Sequence, residues 1–429
     1  MEIKRDRYLN RLLSYQWDGQ VKVITGIRRS GKSYLMRVLL KNYLLSHGIK
    51  EEQIIEVELD LAKDIRYRNP LELSAYVRSL VRDTSRKFYL FIDEIQMSDE
   101  IANPYNPSGK RITFYDALND MRELPNVDVY VTGSNSRMLS TDILTEFRGR
   151  SDELRVHPLS FAEYYSAAGG DKNDAFDAYA FFGGMPLILS RPDDAAKMNY
   201  LRALFDEVYI KDIVERKKIE REDVLGMVLD ILCSSVGSLT NPTKLTNTLK
   251  SLERISISPN TVKAYIGHLS DAFLFAESKR YDVKGKAYID SQSKYYCEDI
   301  GLRNARLGFR QQEMTHIMEN ILYNELVLRG FSVDVGVVYS REQNKNSNSV
   351  RVPREIDFVV NGAGKKTYIQ SAYAMETGEK RASEVKPFAL TKDSFPKIIV
   401  RRDIGKRWYD NDGILNIGLI DFLLDESAV

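Results

Sequence analysis

Short, largely apolar runs alternating with helix-forming segments dominate the first third of the chain. Lys22-Val-Ile-Thr25, Gln53–Asp60, Phe88-Tyr-Leu-Phe-Ile-Asp-Glu94 and Asn126–Asn135 each read as a strand. Runs this apolar belong to parallel sheets covered on both faces, where side chains of either parity meet a core. From about Ala195 to Asp290 the period lengthens, with Met198, Leu201, Leu204, Phe205, Val208 and Tyr209 at helical spacings of three and four. Thr243–Leu249 and Ser258–Ala272 then read as two helices about a turn. Phe273–Tyr281 and Ala287–Ile289 read as a hairpin turning at Asp282–Lys286, which completes the order of a winged helix. After Gly308 come a helix around Met314–Gly330 and strands at Ser332–Tyr339, Arg354–Val360 and Tyr368–Ala372. The pattern predicts an α/β P-loop domain over 1–165, a helical lid or linker over 166–230, a winged helix over 231–305 and an α+β module over 306–429.

The first strand leads into Gly26-Ile-Arg-Arg-Ser-Gly-Lys-Ser33, a complete G-x-x-x-x-G-K-[ST] loop, and Tyr34–Leu40 continues as a helix. In such a loop Gly26 and Gly31 let the backbone curl so that the N–H groups of Ile27, Arg28, Arg29, Ser30, Gly31 and Lys32 can cradle phosphates at a helix N-terminus. The Lys32 ammonium suits the β and γ phosphates, the Ser33 hydroxyl suits Mg²⁺, and Tyr34 closes the motif. The strand ending in Asp93 and Glu94 is a Walker B pattern. Asp93 would hold the Mg²⁺ shell and Glu94 would polarise an attacking water. Asn135, or its neighbour Ser134, ends the later strand where a side chain could sense the γ phosphate.

Composition narrows the picture modestly. The 62 basic and 61 acidic residues of this 429-residue chain nearly cancel, so any basic contact surface must be local. Two distant cysteines, Cys233 and Cys297, and four scattered histidines argue against disulfides and zinc. The expectation is a cytoplasmic protein with no membrane association.

The strand inserted between the two Walker strands, with Glu94 directly after Asp93, resembles the ATPase branch of P-loop proteins that includes AAA+ enzymes. Further on come Thr145-Glu-Phe-Arg-Gly-Arg150, Pro158-Leu-Ser-Phe-x-Glu163 and Phe182-Gly-Gly-Met-Pro186. In this order the motifs resemble the prokaryotic AAA-type ATPases that carry a C-terminal nuclease-like domain of unknown function. The resemblance implies ATP and Mg²⁺ as cofactors, Arg148 and Arg150 as candidate arginine fingers within a chain or across a homo-oligomer, and Asn135 as the sensor.

The hairpin offers Lys279, Arg280, Lys284 and Lys286 to duplex DNA without sequence preference. A winged helix used for packing or for a protein partner fits the same pattern, because the helix before it carries few base-reading side chains. The segment Arg354-Glu-Ile-Asp-Phe-Val-Val360 with Tyr368-Ile-Gln-Ser-Ala372 resembles the core hairpin of PD-(D/E)xK nucleases. Glu355 and Asp357 share one strand face, with Gln370 on the next strand and Glu319 or Glu325 available from the preceding helix. The lysine position of that motif is Ala372, with Lys366 or Lys380 as stand-ins, so the expectation is a degenerate, inactive site. Arg341–Val350 reads as a mobile polar linker. The chain as a whole reads as an ATPase whose nucleotide state controls the later modules; a nucleotide-gated signalling or scaffold switch is the alternative, and an ATP-regulated nuclease the least favoured.

Overall fold

The computed structural model describes residues 3–134, 151–253, 255–343, 349–362 and 364–429. It divides into two compact units, Met1–Pro158 with Asp271–Phe273, and the remainder.

The first unit is built on five parallel strands: β1 (Val21–Thr25), β2 (Ile54–Glu58), β3 (Phe88–Asp93), β4 (Val127–Thr132) and β5 (Ser151–Arg155), in the order β2-β3-β4-β1-β5. Both faces are covered, as the unbroken apolar runs require. Val21, Val23, Val57, Leu90, Ile92 and Val129 meet helices Pro70–Leu80 and Phe114–Arg122. Ile24, Phe91 and Tyr130 meet helix Asp6–Ser14 and the helix after the P-loop. The Asn69 side chain accepts the Leu71 N–H at 3.0 Å and Pro70 fills the first helical position, which fixes where that helix begins. β5 pairs with β1 along its length, from Val21–Ser151 to Thr25–Arg155.

The second unit carries one eight-stranded sheet. Its strands are β6 (Phe275–Asp282), β7 (Ala287–Cys297), β8 (Ser332–Gln343), β9 (Ser349–Gly362), β10 (Lys365–Ala372), β11 (Lys397–Arg401), β12 (Trp408–Tyr409) and β13 (Leu415–Gly418). The order is β12-β13-β11-β10-β9-β8-β6-β7. Helix Met314–Leu328 packs on one face with Phe358, Ile369 and Val400, and Phe388 from helix Gly378–Thr391 packs on the other with Val359, Tyr368 and Ile399.

Here the structure departs from the sequence expectation. The helices Glu222–Ser234, Pro242–Glu253 and Pro259–Asp271 are followed by a hairpin, as anticipated. That hairpin does not close a separate module, because Arg280–Asp282 of β6 pair in parallel with Val335–Val337 of β8. The segments expected as 166–230, 231–305 and 306–429 lie in one unit, and the last two share one sheet. The cause is on β7, which runs on well past the expected Ile289 to Cys297. Its end is clamped to helix Met314–Leu328 by the Asn320 amide, which donates to the Cys297 carbonyl and accepts the Cys297 N–H, both at 2.8 Å.

The Phe182-Gly-Gly-Met-Pro186 motif also finds its reason in this unit. A Cβ on Gly183 would sit 2.2 Å from Asp299 Oδ1, and one on Gly184 would sit 2.2 Å from the Leu159 carbonyl oxygen. Asp299 accepts the N–H groups of Gly184 at 2.6 Å and Leu302 at 3.0 Å, and so caps helix Ile300–Arg306. Burial pushes its carboxyl up to about 6, against the lowering pull of those N–H groups.

Candidate functional site

Every candidate nucleotide residue that the structure describes lies at the carboxyl ends of β1, β3 and β4, where open parallel sheets bind their ligands. Gly26 has φ of 133° and a Cβ there would strike the Val156 carbonyl at 2.2 Å, so no other residue fits. Arg29 and Gly31 also take positive φ, and the helix starts at Lys32 directly after the left-handed Gly31. The first N–H groups of that helix have no partners within it and face outward from its positive end.

Lys32 is 4% exposed and donates to the carbonyls of Gly26 and Ile27, both at 3.0 Å. Burial brings its ammonium down to about 8, while Glu94 and Asp93 pull the other way. It is therefore a desolvated cation held by two carbonyl dipoles, free to exchange them for a polyanion. Ser33 Oγ donates to Asp93 Oδ1 at 2.9 Å, which brings together the two Mg²⁺ ligands expected from the motif. A hydroxyl and a carboxylate are the hard oxygen donors that Mg²⁺ prefers, so the residues present fit the ion.

Glu94 sits in the left-handed region at φ 54°, directed by the turn after β3. Its carboxylate accepts from the Gln96 amide and from Ser134 Oγ at 3.4 Å. Ser134 is thus the described residue of the sensor pair that reaches Glu94. Asn135, Arg148 and Arg150 lie outside the described residues. Sequence reasoning missed Thr132, whose hydroxyl donates to Asp93 and accepts the Glu94 N–H at 3.0 Å, tying both acids to the end of β4. It also missed Arg5, 2% exposed, which donates to the carbonyls of Ser30 at 3.0 Å and His157 at 2.8 Å and so braces the loop from behind. Arg37, one turn into the helix, pairs with Glu58 and stands 4.0 Å from Asp93.

In the second unit the hairpin side chains Lys279, Lys284 and Lys286 are exposed and Arg280 is half-buried. Of the degenerate-site residues, Glu319, Glu355 and Asp357 come together around a cation that was not anticipated. It is Lys294 of β7, whose Nζ lies 2.8 Å from Glu319, 2.7 Å from Glu355 and 3.7 Å from Asp357. Neither expected stand-in takes this part. Lys366 lies over the rings of Tyr281 and Phe395, and Lys380 is an exposed residue near the start of helix Gly378–Thr391. Glu325 pairs instead with Arg329 at 2.7 Å. Ala372 is packed with Met375, Phe388 and Ile399 in an apolar cluster, so an ammonium at that position would be buried among hydrocarbon. Gln370 does not turn toward Lys294; its amide accepts the Asp357 N–H at 3.3 Å and donates to Glu384 at 2.9 Å.

The first unit, with its two-faced parallel sheet, P-loop and Asp93–Glu94 strand end, defines a P-loop ATPase of AAA type. A family model described as "AAA domain" matches residues 18–165, and one described as "Domain of unknown function (DUF8612)" matches residues 173–313. An uncharacterised protein of Haemophilus influenzae is 31% identical over 429 residues, covering 98% of each chain. One of Methanocaldococcus jannaschii is 26% identical over 403 residues, covering 90% of this chain and 82% of its own. Among solved structures, a Walker-type ATPase of Pyrococcus abyssi aligns with a TM-score of 0.48 at 14% identity, covering 71% of this chain and 96% of its own. The Aeropyrum pernix ORC1 protein in complex with DNA aligns with a TM-score of 0.30 at 13% identity, covering 72% and 93%. The chain belongs to the prokaryotic AAA-type P-loop ATPases that carry a further domain of unknown function. Among the described residues no helix is long and apolar enough to cross a membrane.

Proposed function

We propose that the chain hydrolyses ATP to ADP and phosphate and that its nucleotide state controls the second unit. The observation that carries this reading is the Ser33–Asp93 contact of 2.9 Å beside buried Lys32, with Glu94 held at the next residue of the same strand end. In this reading the loop N–H groups and Lys32 bind the phosphates, Ser33 and Asp93 hold Mg²⁺, and Glu94 orients the attacking water. Mg²⁺, when bound, screens the charge on the phosphate oxygens. Asn135 senses the γ phosphate, and Arg148 and Arg150 complete the site from the same chain or from a second copy. The exposed wing lysines fit weak duplex DNA binding. A protein partner in place of DNA would make the chain a signalling switch. The β9–β10 hairpin is read as a lapsed nuclease site, because the lysine position of that motif is Ala372 and Gln370 is neutral.

The test is ATP turnover by the purified chain over a range of protein concentrations, with and without duplex DNA, against Glu94→Gln. Turnover that rises with concentration and is lost in the variant supports the reading. No turnover under any of these conditions defeats it. Stimulation by DNA favours the nucleic-acid role.

A further inference from the structure

Glu58 ends β2 in register with Asp93, which ends the neighbouring parallel strand β3. Paired residues on adjacent strands point to the same face, and such strands lie about 4.8 Å apart, so two carboxylates stand side by side. Their side chains are only 10% and 8% exposed, and like charges so placed repel unless a cation stands with them. Arg37 is that cation. Four residues after Ser33, it projects from the same face of the helix one turn further on. Its Nη1 pairs with Glu58 Oε2 but stays 4.0 Å from Asp93 Oδ2, beyond hydrogen-bond length. Glu58 is itself held in place, because Lys63 reaches its Oε1 at 2.7 Å and its N–H donates to Asp64 at 2.8 Å. Asp93 receives the Ser33 and Thr132 hydroxyls on Oδ1, so Oδ2 is the oxygen nearer the guanidinium.

The guanidinium thus has two acids within reach, and which of them it holds decides what Asp93 can do. On Asp93 it would occupy lone pairs that Mg²⁺ needs and set a positive charge beside the ion; on Glu58 it does neither. We propose, taking Ser33 and Asp93 as the Mg²⁺ ligands of the function proposed above, that Glu58 draws Arg37 off Asp93 and that this pair sets the Mg²⁺ affinity of the nucleotide site. Both are positioning residues that act through Asp93 and not on the nucleotide. If Glu58 loses its charge, Nη1 loses its partner, and Asp93 is the acid left to it. The other acid nearby, Glu56, meets Nε at 3.4 Å and already takes Lys41 at 2.6 Å. If Arg37 is removed, Glu58 keeps Lys63, and the field at Asp93 becomes more negative. The two losses therefore move Mg²⁺ affinity in opposite directions, down for Glu58→Gln and up for Arg37→Met. A carboxylate that served the ion directly would behave differently, since removing a cation could not restore what its loss takes away.

The experiment reads binding rather than turnover and uses the full chain. A non-hydrolysable ATP analogue is titrated by calorimetry in chelator and at a series of Mg²⁺ concentrations. In Glu58→Gln the half-saturating Mg²⁺ concentration should rise about 10- to 100-fold, as for other partners that orient a metal ligand, while the affinity in chelator stays that of wild type. Arg37→Met should lower it, and the double variant should follow Arg37→Met. Melting curves show that the variants fold. Unchanged Mg²⁺ dependence in Glu58→Gln, or a rise in Arg37→Met, overturns the proposal. A double variant as weak for Mg²⁺ as Glu58→Gln also overturns it, because Glu58 would then serve the ion itself. Wild type that does not bind the analogue defeats the ATPase reading and this inference with it, whereas Mg²⁺-dependent binding that all three variants share defeats this inference alone.

Discussion

Lys32 and Lys294 are both buried ammoniums near carboxylates, yet their environments drive them in opposite directions. Lys32 touches only carbonyl oxygens, so burial prevails and its affinity for a proton falls. Burial acts on Lys294 too, but Glu319, Asp357 and Glu355 outweigh it and hold the proton more tightly than in water. The first lysine is loosely held and ready for an incoming polyanion. The second is already neutralised, and it becomes available to an anion only when some other cation satisfies its carboxylates.

The sharpest way to break this contrast is to remove each charge. Lys294→Met should destabilise the second unit by about 3–5 kcal/mol, because it strands buried carboxylates, and adding Asp357→Asn should recover part of the loss. Chemical unfolding of the single and double variants measures this. Lys32→Met should cost less stability by the same assay, since its own hydrogen bonds go to two carbonyls and Asp93 keeps its contacts with Ser33 and Thr132, while ATP turnover falls about 10²–10³-fold. Equal stability losses in the two variants would erase the distinction.

Asp299 supplies a third case, an acid whose partners are backbone N–H groups rather than a cation. Its carboxyl is raised in the folded chain, so the stability it contributes is full below about pH 4 and is lost as pH rises through about 6, by about 3 kcal/mol. Asp299→Asn should flatten that part of the stability profile. The smallest effect is expected of Thr132→Val, which removes one hydroxyl between Asp93 and Glu94 and should slow turnover about tenfold, read from initial rates.

The nucleotide site was largely legible because its chemistry is contiguous. Eight consecutive residues make the loop, and two more end an apolar strand. What escaped was whatever the fold brings in from the side, such as Thr132 from the neighbouring strand and Arg5 from before the first helix. The second cluster was legible only in its acids. Glu355 and Asp357 are two apart on one strand, but Lys294 comes from a hairpin roughly sixty residues earlier, and only pairing of β6 with β8 makes it a neighbour. The motif placed the lysine at Ala372, which the structure instead commits to hydrocarbon packing. The same long-range pairing merged segments that their local patterns had separated, since a hairpin's sequence does not announce which sheet it will join.

That shared sheet bears on how the chain could be inherited. An exchange of genes with a junction near residue 305 would send the ammonium to one descendant and its acids to another, and would expose the edge of β8 to whatever strand it met. Everything from the hairpin to the last strand has to be passed on together, so lineages that reshuffle this region should place their junctions before β6 begins at Phe275.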